Sequence, residues 1–190
     1  IAGLVGMVMA KDLFSLYLFA ELMIVTAYAL VAFRRRSATA IEAGFKYLVM
    51  GSAGTLTLLM GIALFYRDTG SVTLGQPVQA STVWGRASVA CMFVGLAIKS
   101  AIVPAHTWLP DAYERAPSTI ASLSGIVTPS AFYALIKVTL SSGYPPERLG
   151  LFLVGLGLLN MSLGNLLALV QVNTKRLLAY SSIAYVGYIM

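Results

Sequence analysis

The sequence predicts an all-α, polytopic membrane helix bundle, on three observations. Of the 190 residues, 58% are hydrophobic and only 11% charged, against roughly 25% charged in a soluble domain. Thirteen Lys/Arg and seven Asp/Glu cannot cover a core of this size, so a water-soluble fold is excluded. Five apolar stretches approach the about 20 residues needed to span a bilayer core of about 30 Å. Finally, the net charge of +6 is confined to short connectors between those stretches, which reads as topology rather than as nucleic-acid binding.

The elements follow in order. Residues 1–10 are too short to span and read as a partial helix. The first full helix is expected over 13–33, with one interior charge, Glu21, and ends at Arg34, Arg35 and Arg36. The second, 44–66, carries Lys46 near its start and a small-residue face of Gly51, Ala53, Gly54 and Gly61 that favours close packing. The third, 83–114, contains Lys99 and is expected to break at Pro104, which removes a backbone donor. The fourth, 118–140, is interrupted by Pro129 and carries Lys137. A fifth covers 149–170, and a partial helix covers 176–190. Together they make a single transmembrane domain over 1–190, read as truncated at both ends.

Basic residues alternate between the two ends of this bundle. Arg34, Arg35, Arg36, Arg115, Lys175 and Arg176 fall on one side, and Lys11, Arg67, Arg86 and Arg148 on the other. Short cytoplasmic loops accumulate Lys and Arg, so the side of the three consecutive arginines is expected to be cytoplasmic. A single cysteine, Cys91, and a single histidine, His106, leave no conventional zinc, haem or iron–sulfur ligand set.

A charge near the bilayer centre costs at least about 2.5–3.5 kcal/mol, so each one there is a functional candidate. Glu21 has no basic residue within one helical turn, and its partner must come from another helix. The alternative for Glu21 is a structural salt bridge or a neutral, hydrogen-bonded acid. Lys99 lies deep in its helix just before Pro104, where a desolvated lysine can exchange its proton. A helix break beside Lys99 and His106 points to a hydrated pathway, since freed carbonyls are tolerated only against protein or water. Lys46 lies one turn after Glu42 and close enough to a helix end to reach the interface. Lys137 can equally snorkel, Lys175 can be a cytoplasmic anchor, and a lone histidine such as His106 is more often structural than a proton relay.

These residues resemble a known family. The run KSAIVPAHTWLPDAY from Lys99 to Tyr113, followed by Ala116-Pro117-Ser118, is similar to the signature of the antiporter-like membrane subunits of respiratory complex I and of Mrp-type cation/proton antiporters. Asp12-Leu-Phe with Ala20-Glu21-Leu22, Gly44-Phe-Lys46-Tyr, and Lys175-Arg-Leu-Leu-Ala-Tyr-Ser-Ser-Ile with Gly187-Tyr188 resemble further family segments, in the family's order.

The resemblance implies a central portion of a subunit of about fourteen helices, built on two inverted repeats that each contain a broken helix. It also implies that Glu21 pairs with Lys99, and that protons move along a file of Glu21, Lys99 and Lys46, with His106, Lys137 and Lys175 as secondary stations. One departure stands out: the family's usual basic residue in the next helix falls on Leu123 or Pro129 here. Water near Ser122, Ser124, Thr128 and Ser130, or His106, would have to fill that gap, unless these hydroxyls bond back to their own helix carbonyls.

The reading implied is a proton-translocating membrane subunit of a complex I-related NADH/quinone oxidoreductase. No redox centre is expected in this chain; quinone, flavin and iron–sulfur clusters are expected in partner subunits. Other membrane subunits and the lipid bilayer are the expected partners, nucleic acid is not, and a prokaryotic plasma membrane is the expected location. Two alternatives stay open: an Mrp-type Na⁺/H⁺ antiporter subunit, and a structural subunit with a degenerate channel.

Overall fold

The computed structural model describes residues 1–32, 38–78, 82–143 and 146–190, leaving out the side chains of 118–124, 126 and 146–148. Arg34, Arg35, Arg36 and Arg148, and the side chains of Ser122, Leu123 and Ser124, therefore lie outside the described residues. Among the described residues the chain is all-helical: α1 (Ala2–Met9), α2 (Leu13–Val31), α3 (Ala38–Thr69), α4 (Val83–Lys99), α5 (Trp108–Arg115), α6 (Ser118–Ser141), α7 (Pro146–Leu169) and α8 (Thr174–Ile189). Three segments are long and apolar enough to cross a membrane, Leu13–Val31, Ala38–Thr69 and Leu149–Leu169.

Local chemistry sets the helix starts. Asp12 is extended and accepts a hydrogen bond from Ser15 N at 2.7 Å, capping α2 and holding its own carboxyl below the usual carboxylate range. Thr82 caps α4 by accepting from Gly85 N at 2.9 Å, and Asn173 caps α8 by accepting from Lys175 N at 3.0 Å. Pro146 opens α7, where a missing N–H costs nothing.

Three expectations need correction. The helix expected from residue 44 to 66 runs from Ala38 to Thr69. Nothing in 38–43 breaks a helix, the Glu42–Lys46 pair at 2.8 Å supports the first turns, and Gly70 with φ +73° stops it. Lys46 consequently lies two turns inside the helix rather than at its start. Secondly, α6 continues through Pro129 instead of being interrupted, because one proline removes one hydrogen bond and the long flanking turns remain.

Thirdly, the broken helix ends at Lys99, well before Pro104. Ala101 takes a left-handed conformation at φ +53°. Ile102 N then donates to Ala97 O at 3.0 Å and Ala101 N to Ile98 O at 3.2 Å, the paired bonds of a Schellman closure. The turn is thus sealed by backbone before the proline is reached, and Pro104 keeps the helix from resuming until Trp108.

Glycines let the helices touch backbone to backbone. A Cβ on Gly95 of α4 would lie 2.6 Å from Gly54 O of α3, and one on Gly61 would lie 2.7 Å from Met92 N. The pair α7 and α8 meets the same way, with a Cβ on Gly187 2.7 Å from Gly157 O. The core forms two clusters. Leu13, Leu16, Leu58, Met92 and Leu96 fill the first, and Tyr47, Trp108, Leu109 and Ile183 surround the helix break.

Candidate functional site

Lys99 is the last residue of α4 and its side chain turns inward, leaving the residue only 3% exposed. Its Nζ donates to Ala20 O of α2 at 3.2 Å. The half-buried Glu21 follows Ala20 directly, and its carboxylate lies within electrostatic reach of the ammonium. Among the described residues no ion pair joins Glu21 to Lys99, so the expected direct pairing is replaced by a contact one residue earlier. A cavity of about 10 Å³ adjoins Lys99, walled by Ile24, Tyr47, Ile98, Trp108 and Val127. That is room on the order of a single water, in an apolar setting.

Trp108 stacks on Tyr47 at 4.6 Å with the rings parallel within 1°, and its Nε1 donates to Ile98 O at 3.0 Å. This indole occupies a carbonyl at the end of α4 and forms a wall of the Lys99 cavity. Trp108 also lines a second cleft, of about 390 Å³, together with Phe45, Lys46, Met50 and Asp111. Lys46 and Lys99 thus line different cavities that share the Trp108 ring.

Lys46 belongs to an ionic chain. Its Nζ lies 2.8 Å from Glu42 and 3.3 Å from Asp111, whose other oxygen lies 3.7 Å from Arg176. Arg176 in turn meets Glu114 at 3.0 Å. The chain ties α3, α5 and α8 together at one end of the bundle. Half-exposed Lys46 is thus paired, whereas Lys99 has, among the described residues, a carbonyl within hydrogen-bond distance and no carboxylate.

The secondary candidates sit apart from this pair. His106 lies in the turn between α4 and α5, and its Nδ1 is buried with no hydrogen-bond partner among the described residues. Lys137 Nζ donates to Ala10 O at 2.7 Å and Val8 O at 3.0 Å, so it caps the C-terminus of α1. Lys175 Nζ donates to Ala116 O at 2.7 Å, capping α5 in the same manner. Of the four hydroxyls expected near the gap, Ser130 bonds back to Val127 O at 2.7 Å, and the buried Thr128 hydroxyl faces the phenol of Tyr113. The hydroxyls of Ser122 and Ser124 lie outside the described residues.

Sequence reasoning missed Asn160. This fully buried residue of α7 accepts from Val103 N at 2.8 Å, closing the opened backbone of the break from a helix 57 residues away. An amide side chain in the middle of an apolar helix was the available signal. Asp111 and Glu114 were also passed over, since only the fold brings them to Lys46 and Arg176.

The pattern of the NADH:quinone oxidoreductase/Mrp antiporter transmembrane family matches residues 10–190. The chain belongs to this family. A family relative, the NADH-quinone oxidoreductase subunit N of Desulforamulus reducens, is 38% identical over 195 residues, covering 99% of this chain and 41% of its own length. A chain of respiratory complex I from Thermus thermophilus superposes with a TM-score of 0.85 at 35% identity, over 98% of this chain and 41% of that one. A chain of the Mrp complex from Dietzia superposes with a TM-score of 0.90 at 29% identity, over 99% of this chain and 36% of that one.

The chain thus spans about 41% of the length of that curated relative. Within the family it is an all-helical integral membrane protein. Among its described residues no three His, Cys, Asp or Glu side chains converge to hold a metal ion.

Proposed function

We propose that the protein is a proton-translocating membrane subunit of a NADH/quinone oxidoreductase-type assembly in a bacterial plasma membrane. The observation that carries this reading is the desolvated Lys99 ammonium at a helix break, held by the Ala20 carbonyl next to Glu21. A lysine buried at such a site costs several kcal/mol that a hydrophobic residue of the same shape would avoid, which favours a functional role for it. Glu21 and Lys99 take up and release the proton, and Lys46 receives it at the ionic end. Electron transfer belongs to partner subunits carrying flavin, iron–sulfur clusters and quinone. Within the family, relatives named for NADH-quinone oxidoreductase support this assignment.

The test replaces Glu21→Gln and Lys99→Ala in the whole assembly. Proton uptake into vesicles should fall at least about tenfold in each, given what a positioned proton-transfer group contributes. Assembly should persist. Wild-type uptake in both variants would reject the reading.

A second reading is favoured by the likeness to the Mrp complex. In that reading the same residues exchange Na⁺ for protons. Uptake that depends on Na⁺ at fixed pH, in an assembly lacking flavin, would select it.

A further inference from the structure

The backbone donors of the turn after α4 are all satisfied, and all but one of them locally. Ser100 N donates to Leu96 O, Ala101 N to Ile98 O, Ile102 N to Ala97 O and Ala105 N to Ile102 O, at 2.8–3.2 Å, while Pro104 has no N–H. These bonds fix the internal shape of the turn and nothing about where it sits. Among these donors only the Val103 N–H leaves the segment, donating to Asn160 Oδ1 of α7 at 2.8 Å.

The helix pair α7 and α8 is built to deliver that oxygen. Among the described residues of α7 the buried ones are Gly157, Asn160 and Gly164, which share one helix face. A Cβ on Gly164 would lie 2.7 Å from Ala184 N of α8, and one on Gly157 would lie 3.0 Å from Gly187 O. Asn160 falls between these two backbone contacts, and a Cβ on Gly187 would come within 2.9 Å of the Asn160 Cβ. Its Nδ2 lies 3.7 Å from Met190 Sδ, which leaves Oδ1 for Val103. Burying an amide is unfavourable beside burying a leucine, so what recommends asparagine here is the bond it makes.

The same helix pair grips the far end of the broken segment. Lys175 Nζ donates to Ala116 O at 2.7 Å, and Arg176 pairs with Glu114 at 3.0 Å. Lys99 is bracketed by the Ile102 N to Ala97 O bond and lies four residues before Val103, so the placement of the turn is the placement of the lysine. Its ammonium meets Ala20 O at 3.2 Å, the long end of the N–H···O range, and a displacement of about 1 Å would break that contact.

We propose that Asn160 is a positioning residue for proton exchange at Lys99: through Val103 it holds the turn after α4 so that the ammonium stays on the Ala20 carbonyl beside Glu21. The inference rests on the proposed function and adds to it a neutral residue that never carries the proton. Its contribution is geometric, and a misplacement of about 1 Å can cost up to about 100-fold in a transfer step.

Variants of the intact assembly test it. Asn160→Leu removes the acceptor and keeps the bulk, and should lower proton uptake per turnover of the driving reaction by about tenfold. Asn160→Asp keeps an acceptor oxygen at the same place and should retain most of the wild-type uptake. The deciding readout is a double-variant cycle. In a Lys99→Ala background, Asn160→Leu should lower the residual uptake no further, because it acts through Lys99. Equal losses in both backgrounds, or a lowered unfolding temperature with wild-type uptake, would make Asn160 structural and overturn the proposal. Should Asn160→Leu fail to assemble, Asn160→Ala takes its place under the same criteria, and failure of both while Asn160→Asp assembles also overturns it. Glu21→Gln runs beside them. Loss of uptake in Glu21→Gln with wild-type uptake in Asn160→Leu sinks the positioning role and leaves the proposed function standing. Wild-type uptake in both Glu21→Gln and Lys99→Ala sinks the two together.

Discussion

At the scale of single residues, the buried lysine and the groups that seal the broken helix do different work. Among the described residues Lys99 Nζ donates to one carbonyl and makes no ion pair, so Lys99→Met should leave the fold intact or more stable while abolishing its proton exchange. Thermal unfolding of the purified assembly, set beside its proton uptake, separates the two effects. Asn160 behaves oppositely: Asn160→Leu strips the Val103 N–H of its only cross-helix acceptor and should cost about 1–3 kcal/mol. A lowered unfolding temperature checks it. Asp12 adds a pH-dependent contribution. Its carboxyl is held below the ordinary range by the Ser15 N–H, so its capping contribution is complete above about pH 4 and is lost as pH falls through its lowered pKa. Wild type should exceed Asp12→Ala by about 1 kcal/mol at neutral pH, and the gap should close in acid.

Elements were legible in the sequence where composition alone decides, and illegible where one distant contact does. The apolar runs gave α2, α3, α6 and α7, and the small face of Gly54 and Gly61 turned out to lie against α4. Lys99 was legible as a buried charge before any partner was known. The position of the break was not, because Pro104 drew attention from Ala101, whose left-handed backbone no alanine announces. Nor were Lys137 and Lys175 legible as helix caps, since their carbonyl partners lie 127 and 59 residues away. Two predictions belong here. Ala101→Gly relieves a left-handed alanine and should stabilise the protein by about 1–2 kcal/mol without moving Lys99. Gly95→Ala should separate α3 from α4, since its Cβ would meet backbone at 2.6 Å, whereas Gly155→Ala meets nothing within 4 Å and should be neutral or better. Unfolding temperatures of the two glycine variants, measured together, check that contrast.

At the scale of the whole molecule, the two ends of the bundle differ in kind, and the difference fixes an orientation. One end is tied by backbone: Leu13 N bonds to Val72 O at 2.8 Å and Leu74 N to Lys11 O at 3.1 Å. Arg67 there stacks over Trp84 at 3.8 Å. The opposite end gathers Lys46, Asp111, Glu114, Arg115 and Arg176 into ion pairs and carries the Lys175 cap. Arg115, Lys175 and Arg176 belong to the more basic side, and positive charge in short loops marks the side that is not translocated. The ionic end, with the Lys46 cleft, is therefore expected to face the cytoplasm. Cysteine labelling tests this directly. In a background with Cys91 replaced, Val172→Cys, fully exposed at the ionic end, should react with a membrane-impermeant maleimide only in inside-out vesicles. Gln76→Cys, in the exposed loop at the backbone-tied end, should react only in right-side-out cells. The reverse pattern would place the Lys46 cleft on the outer side and overturn this orientation.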